Sequence, residues 1–349
     1  MIRTGRCSVV RLVALMAVFT MSQASFAQAR APVRDHYGDR LDVREFVTEM
    51  VHKHGFEESV LKATFRRAIR QPQILKAIRP STTPQARSWQ NYRGLFVNER
   101  HIAEGLRFIA MHTAVLERAE REYGIPREII VAIIGIETFY GKNMGKWRVV
   151  DALSTLAFDY PPRADFFRSQ LEAYLLFTRE ADLNILDVRG SYAGAIGIPQ
   201  FMPGSYRRWA VDYDGDGVAR LRSSPADAIG SVANYLRDHG WSTGQPITFP
   251  ADPGTADTAA LLAAGIKPLM SLAQFAAAGV AVHANPDTDP AMAAALIELQ
   301  TPDQPSEYRA GLGNFYVITR YNRSSFYACA VIDLAQALRG AQNKAARPD

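Results

Sequence analysis

Glu137 stands at the end of a nearly unbroken apolar run, where a carboxylate is least expected. The run reads Ile-Ile-Val-Ala-Ile-Ile-Gly-Ile over residues 129–136, and Thr-Phe-Tyr-Gly follows the glutamate. Apolar neighbours remove water from a carboxylate and raise its pKa, because the charged form loses more solvation than the neutral form. A carboxyl that is neutral near pH 7 can donate a proton, as a general acid must. The alternative is a solvated glutamate that turns outward near a helix end.

A second group of chemically capable residues lies in the acidic loop over 212–217, Asp-Tyr-Asp-Gly-Asp-Gly. Oxygen ligands at alternate positions, followed by glycine for a sharp turn, are typical of the start of an EF-hand loop. A standard loop ends on a glutamate at the position of Ser223, but Asp227 follows and could close the site. We predict a structural Ca²⁺ or Na⁺ rather than a catalytic metal, since the ligands are hard oxygens. The alternative is a surface turn, and the predicted ligand set is Asp212, Asp214, Asp216, Val218 and Asp227.

The elements that must position these groups are mainly helical. Apolar residues recur at helical spacing from about residue 42 to 240, with few Gly or Pro interruptions. Glycines at positions 141 and 145 end the pattern after Glu137. Helices are predicted over 43–54, 57–68, 101–123, 127–139, 165–179 and 225–239.

The composition changes beyond residue 241, where Gly, Pro, Thr and Asp become frequent. This change favours a small mixed α/β insertion over 245–310. Strand-like stretches occur at 293–299 and 314–320, and a last helix over 326–339 is predicted to return to the helical part. The predicted fold class is therefore mainly α, of the α+β type.

The charge of the chain argues against nucleic acid as a partner. The 349 residues carry a formal charge of +5, with 40 basic and 35 acidic residues. Arg3, Arg6 and Arg11 lie in the first 27 residues, which contain no acid, so 37 basic residues remain beyond them. A near-neutral chain provides no general electrostatic attraction to nucleic acid.

Residues 1–27 have the pattern of a secretory signal peptide. A basic start precedes an apolar run over 12–21, and Ser25-Phe-Ala27 offers small residues at a cleavage site. The run is too short to span a bilayer, although an uncleaved anchor is the alternative. Cys7 precedes the run, so it is not placed like the cysteine of a lipoprotein. We predict a periplasmic protein that is not a lipoprotein and has no transmembrane segment in its mature chain.

Several motifs occur together in a fixed order and closely resemble the lytic murein transglycosylase B family, in its soluble periplasmic type. The resemblance extends from about residue 40 to 339 and is strongest from 123 to 241. Each motif alone is weak, but their ordered combination is specific. The motifs are Tyr123-Gly-Ile-Pro126, Ile134-Gly-Ile-Glu137-Thr-x-Tyr-Gly141, Gly145-Lys146, Asp151-Ala-Leu-Ser-Thr-Leu156, Gly190-Ser-Tyr-Ala-Gly-Ala-Ile-Gly197, Pro199-Gln-Phe-Met-Pro203 and Asp227-Ala-Ile-Gly-Ser-Val-Ala-Asn-Tyr235.

The resemblance implies a lysozyme-like catalytic core over 28–244, containing the acidic loop at 212–227, and a segment over 311–349 that returns to it. It implies cleavage of the β-1,4 bond between N-acetylmuramic acid and N-acetylglucosamine in peptidoglycan. The reaction would be non-hydrolytic and leave 1,6-anhydromuramoyl ends, with Glu137 as acid and then base. It implies no organic cofactor, and we expect a monomer whose partner is the glycan strand. Cell-wall synthesis proteins remain open as further partners.

The resemblance also assigns roles around Glu137. Ser191 and Asn322 would orient the substrate acetamide, and Tyr235 would tune Glu137. Ser191 could instead be a turn residue, Gln200 and Asn322 could cap backbone groups, and Phe201 and Tyr235 could be core. The predicted substrate-binding residues are Tyr92, Arg163, Ser191, Gln200, Phe201, Tyr235, Tyr321, Asn322 and Tyr327.

Three other functions compete with this interpretation. Ordinary glycosidases use two carboxylates, whereas the nearest downstream acids, Asp151 and Asp159, are predicted to be capping or surface groups. A hydrolytic muramidase on the same fold is nevertheless the first alternative. The others are a peptidoglycan-binding protein without catalysis and a calcium-dependent scaffold for cell-wall proteins.

Overall fold

Helices build most of the molecule before residue 240. The computed structural model describes residues 36–79 and 88–345, so the predicted signal peptide lies outside the described residues. Five of the six helices predicted in this part are confirmed, with ends shifted by no more than two residues. Their bounds are α1 Leu41–His54, α2 Glu58–Arg67, α3 Pro72–Ala77, α4 Trp89–Phe96, α5 Glu99–Met111, α6 Thr113–Tyr123, α7 Arg127–Thr138, α8 Val149–Asp159, α9 Ala164–Glu180, α10 Pro203–Trp209 and α11 Pro225–Asp238.

The helix predicted over 101–123 is two helices, because the chain departs from helical geometry at His112. Its backbone has φ −123° and ψ 23°, between the end of α5 and the start of α6. The imidazole packs on the ring of Phe108, with centroids 4.6 Å apart. Periodicity misses such a break because the apolar spacing continues across it.

Helix α7 is the central helix, and its end is fixed by its neighbours. Almost all of its residues are buried, and it packs against α5, α11 and the last helix, α15. Beyond Thr138, Phe139 and Tyr140 both take positive φ, at 50° and 60°, a conformation that is costly for bulky residues. The Tyr140 hydroxyl donates to the backbone oxygen of His101 at 2.8 Å. A Cβ on Gly135 would lie 2.7 Å from the Tyr140 ring, so glycine is required there.

Thr138 joins the end of α7 to a second segment of the chain. Its Oγ1 donates to the carbonyl of Ile198 at 2.7 Å and accepts from the amide of Gly141 at 2.9 Å. A two-stranded pair, β1 Trp147–Arg148 with β2 Arg189–Gly190, holds the chain on either side of this junction. These contacts place Glu137, one residue before Thr138, at a fixed point beside the loop over 190–201.

A five-stranded antiparallel sheet follows the helices, with its own small apolar core around Phe249, Phe275 and Leu296. The predicted strand at 293–299 is confirmed. The division of the chain at residues 244 and 310 stays a prediction. The elements are β3 Thr248–Asp252, α12 Thr258–Ala263, β4 Met270–Ser271, α13 Leu272–Ala277, β5 Ala281–Val282, β6 Ala293–Leu299 and β7 Glu307–Gly311, in spatial order β4-β6-β7-β3-β5.

The strand predicted at 314–320 is wrong, because this segment is helix α14, Gly313–Tyr321. Its aromatic and β-branched residues favour a strand, but tertiary contacts decide otherwise. Asn314 ties the helix start to the chain before the sheet, accepting from the amide of Ser242 at 2.8 Å and donating to the carbonyl of Gln245 at 3.0 Å. The final helix, α15 Ser325–Ala345, packs against α7, α4 and α5.

The predicted fold class, mainly helical with a small sheet, is confirmed. Within the residues that the structure describes, no helix combines the length and apolarity needed to cross a bilayer.

Candidate active site

Glu137 lies in the last turn of α7 and is only partly exposed. Its Oε1 accepts a hydrogen bond of 2.6 Å from the hydroxyl of Tyr327, on the first turn of α15. Burial raises the pKa of Glu137 from 4.5 to about 7, and the Tyr327 hydrogen bond opposes part of this rise. The carboxyl therefore exchanges its proton near neutral pH while some of its surface remains open to a ligand.

Three tyrosines surround this carboxyl. The rings of Tyr321 and Tyr327 are nearly parallel, 11° apart, with centroids separated by 6.5 Å. Burial and then the charge of Glu137 raise the pKa of Tyr92 to about 12 and that of Tyr321 well above its usual value. The structure thus brings together four predicted residues that come from helices α4, α7, α14 and α15.

Tyr235 is packed behind this group rather than on the carboxyl. Its hydroxyl donates to the carbonyl of Arg320 at 2.6 Å, and its ring lies 4.9 Å from Tyr321 and 5.6 Å from Phe201. Tyr327, and not Tyr235, makes the hydrogen bond to Glu137, and the role of Tyr235 in tuning Glu137 stays a prediction. The spacing of Tyr327 in the sequence gave no signal of this contact, because the two residues are 190 positions apart.

The loop over 190–201 forms a wall beside the end of α7. Tyr321 donates to the carbonyl of Pro199 at 2.5 Å, and Phe201 packs on the Tyr321 ring. Gln200, with φ 52°, donates through Nε2 to the carbonyls of Gly197 at 2.8 Å and Met144 at 3.3 Å. The side-chain amide of Gln200 therefore caps backbone groups, which is the alternative to substrate binding given for this residue above. The same amide links the wall to the 141–145 segment.

Ser191 also has a local partner. Its Oγ accepts from the amides of Ala193 at 3.3 Å and Ala195 at 3.0 Å, which is the geometry of a serine turn. The hydroxyl proton is not used by these two bonds, so it can still be donated to a ligand. A Cβ on Gly145 would lie 2.1 Å from the carbonyl oxygen of Gly190, so glycine is what lets the two segments touch.

Arg163 and Asn322 have no described contact with Glu137 or with the tyrosines around its carboxyl other than the chain neighbour Tyr321. Arg163 is exposed, and its guanidinium lies 4.4 Å from the ring centroid of Phe166 and 5.1 Å from that of Phe167. Asn322 caps the end of α14 next to Tyr321 and is exposed. Their roles as substrate contacts stay predictions.

Neither downstream acid supplies a second catalytic carboxylate to Glu137. Asp151 is buried, where it forms a bidentate pair with Arg148 at 2.8 and 2.9 Å. Asp159 accepts from Tyr37 at 2.6 Å and pairs with Arg40 at 2.6 Å. Among the described residues, no other acid contributes to the raised pKa of Glu137.

The acidic loop brings three of its five predicted ligands together. Carboxylate oxygens of Asp212, Asp214 and Asp227 lie within 4.8 Å of one another, which suits a hard cation. Asp227 is fully buried and accepts from the amides of Tyr213 at 2.8 Å and Arg220 at 2.6 Å, so it also holds the loop closed.

Of the remaining two predicted ligands, Asp216 is not part of this cluster and is ion-paired with Arg220. Val218 could bind a cation only through its backbone carbonyl, and this role stays a prediction. Asp212 accepts from the amide of Gly217 at 2.7 Å, so part of its charge is already met by backbone donors. The donor chemistry fits Ca²⁺ or Na⁺, with Asp212, Asp214 and Asp227 as the residues that would hold it.

Comparison with known proteins agrees with this geometry. Residues 39–336 match the family described as transglycosylase SLT domain. The chain is 39% identical over 314 residues to membrane-bound lytic murein transglycosylase B of Escherichia coli (strain K12), covering 86% of this chain and 84% of that protein.

Solved structures extend the similarity to the fold. The soluble lytic transglycosylase SltB1 from Pseudomonas aeruginosa is 46% identical, with a TM-score of 0.80 over 86% of this chain and 99% of that one. The Escherichia coli lytic transglycosylase Slt35 in complex with calcium is 39% identical, with a TM-score of 0.76 over 87% and 95% of the two chains. The lysozyme-like core that the motifs implied is thereby confirmed.

The burial of Glu137 predicts a pH-dependent effect on stability. An acid whose pKa is about 7 when folded and 4.5 when unfolded destabilises the fold as pH rises between these values. Glu137→Gln removes this titration, so it should stabilise the protein at pH 8 by up to about 3 kcal/mol relative to wild type, and much less at pH 4. Urea unfolding at both pH values measures the difference. Glu45→Gln, on the exposed face of α1, is the matched control, and an equal effect at both pH values would contradict the assigned pKa.

Proposed function

We propose the function below on the basis that this chain belongs to the family of transglycosylase SLT domains. The protein is a lytic transglycosylase that acts on peptidoglycan. We propose that it cleaves the β-1,4 bond between N-acetylmuramic acid and N-acetylglucosamine without water and forms 1,6-anhydromuramoyl ends. The observation that carries this proposal is Glu137, a carboxyl with a pKa of about 7 and no partner carboxylate among the described residues.

Glu137 acts first as a general acid. Near pH 7 a large fraction of the carboxyl is protonated, and it gives this proton to the glycosidic oxygen as the bond from that oxygen to C1 breaks. The positive charge that develops at C1 is stabilised by the carbonyl of the substrate's own 2-acetamido group. The sugar thus supplies what a second carboxylate supplies in an ordinary glycosidase.

Glu137 then acts as a base. The ionised carboxylate accepts the hydrogen bond of Tyr327, which stabilises its charge between the two steps. It takes the proton from the C6 hydroxyl as that oxygen bonds to C1 and closes the anhydro ring. One proton leaves Glu137 and one returns, so no water is consumed and the enzyme is restored.

The residues around Glu137 bind and orient the strand in this proposal. Tyr92 and Tyr321 offer apolar faces to the sugar rings, with Phe201 and Tyr235 packed behind Tyr321 as support. The substrate-binding assignments of Arg163, Ser191, Gln200, Asn322 and Tyr327 complete the proposed site. We further propose a monomer in the periplasm that is not a lipoprotein, although the Escherichia coli relative is named membrane-bound.

We also propose that the acidic loop holds a structural Ca²⁺. The support is the cluster of Asp212, Asp214 and Asp227 and the calcium complex of Slt35. The ion would neutralise carboxylates that otherwise repel one another across the loop before α11. That helix carries Tyr235, so the ion acts on the shape of the site and takes no part in the reaction.

Product analysis tests the reaction directly. Purified sacculi treated with the protein should release fragments with anhydromuramoyl ends, identified by mass spectrometry, while Glu137→Gln should lower the release at least about 100-fold because the only acid is lost. Glu45→Gln should remain active. Reducing ends would identify a hydrolase, and release by Glu137→Gln at the wild-type rate would exclude Glu137 as the acid.

The hydrogen bond from Tyr327 predicts a change in pH dependence. Tyr327→Phe removes the donor that favours the ionised form, so the pKa of Glu137 should rise. The loss of kcat at alkaline pH should then move upward by about one pH unit, the equivalent of one hydrogen bond to a charged group. Tyr235→Phe, whose hydroxyl bonds to Arg320, should leave the pH profile in place. Equal shifts in both variants would refute the role of Tyr327.

The metal proposal predicts an effect on stability rather than chemistry. Added Ca²⁺ should raise the Tm, since a ligand that binds only the folded state stabilises it. Asp214→Asn should abolish this rise, whereas Asp287→Asn, an exposed aspartate in the β5–β6 connection, should retain it. A Tm that does not respond to Ca²⁺ in the wild-type protein would rule the site out.

A further inference from the structure

Three cationic residues, Lys146, Arg189 and Arg222, are joined by contacts from a guanidinium to a backbone carbonyl beside the loop that carries Ser191. Arg189 Nη1 donates to the backbone carbonyl of Lys146 at 3.0 Å, and Arg222 Nη1 donates to the carbonyl of Arg189. All three side chains are exposed. We call them the cationic cluster.

The cationic cluster differs from its neighbours in having no acidic partner. Lys142 is paired with Glu104 at 2.6 Å, and Arg148 with Asp151 at 2.8 Å. In the described part of the chain, no carboxylate forms an ion pair with any of the three clustered cations. Asp187 belongs to the same region but is not paired with them. No described carboxylate balances the charge of these three side chains, so an anionic ligand would be attracted to them.

The cationic cluster also retains most of its hydrogen-bonding capacity. A guanidinium has five N–H donors. In their described hydrogen bonds Arg189 and Arg222 each use only the Nη1 group. The ammonium of Lys146 lies 5.7 Å from the ring centroid of Trp147 and makes no described hydrogen bond. Paired guanidinium donors of this kind match the two oxygens of a carboxylate.

The position of the cationic cluster relates it to the reaction. Gly145, next to Lys146, touches the backbone of Gly190, next to Arg189. The same segment accepts the hydrogen bond of Gln200 at Met144. Residues of the cluster therefore adjoin, along the chain, the wall that runs from Ser191 to Gln200 beside Glu137.

We infer that the cationic cluster binds the carboxylates of the peptide stem carried by the glycan strand. This inference rests on the proposed function, since peptidoglycan bears acidic peptides on its muramic acid residues. The charge is local, because the chain beyond its first 27 residues has only two more basic than acidic residues. The aromatic groups around Glu137 hold the sugars, and the cluster selects strands whose stems carry free carboxylates.

Binding to the Glu137→Gln protein tests this inference without turnover. The probe is the N-acetylglucosamine–N-acetylmuramic acid disaccharide with a pentapeptide stem, compared with the same ligand whose carboxylates are amidated. Replacing Arg189 and Arg222 together by alanine should weaken Kd for the acidic ligand about tenfold, and that for the amidated ligand less than about twofold. Arg121→Ala, on the exposed face of α6, should change neither, and high salt should reduce the difference between the two ligands.

Lys146→Glu is the second variant, because this side chain makes no described hydrogen bond and its replacement leaves the backbone contacts intact. It should also weaken only the acidic ligand. Equal weakening of both ligands, or no change with either, would overturn the inference. Failure of the proposed reaction would instead appear as the absence of anhydro products from the wild-type protein, whatever the binding ratio.

Discussion

The hydrogen bond between Tyr327 and Glu137 is the interaction on which the rest of the site depends. It joins the end of one buried helix to the start of another, across 190 residues of sequence. Burial favours the protonated carboxyl, and the tyrosine favours the ionised one, so the pKa comes to lie near 7. A single carboxyl can then donate and accept a proton at the same pH. Enzymes with two carboxylates instead divide these roles between two groups whose environments shift their pKa values apart.

This pairing requires that α15 be held firmly against both α7 and α4. Asp333, further along the same helix than Tyr327, is buried and accepts from Arg93 of α4 at 2.6 Å and from Arg309 of β7 at 2.7 Å. The network links the helix that carries Tyr327 with the helix that carries Tyr92 and with the small sheet. Removing one partner of such a pair would leave the buried carboxylate of Asp333 poorly compensated, so these ion pairs constrain where the three elements lie. The sheet is therefore linked to the helix that carries Tyr327, the hydrogen-bond donor to Glu137.

Parts of this site could be predicted from sequence because they are local. The apolar run that ends at Glu137 and the alternating aspartates of the acidic loop each lie within a dozen residues of sequence, so the sequence alone indicates both. Tyr327 could be named only by resemblance, since the direction of its hydroxyl depends on how α15 packs. The ring of Tyr235 belongs to the same aromatic group, but the sequence does not show that its hydroxyl bonds to the carbonyl of Arg320. The segment at 314–320 was mistaken for a strand because tertiary contacts at Asn314 outweigh β propensity.

In the proposed reaction one carboxyl, whose pKa lies near 7, performs both proton transfers. NMR titration of the protein with ¹³C-labelled glutamate side chains measures this directly, with the Glu137 resonance assigned by its loss in Glu137→Gln. We expect a midpoint near pH 7 for this resonance, because burial raises the pKa of Glu137 to about 7. A midpoint near 4.5, the ordinary value for a solvated glutamate, would contradict it.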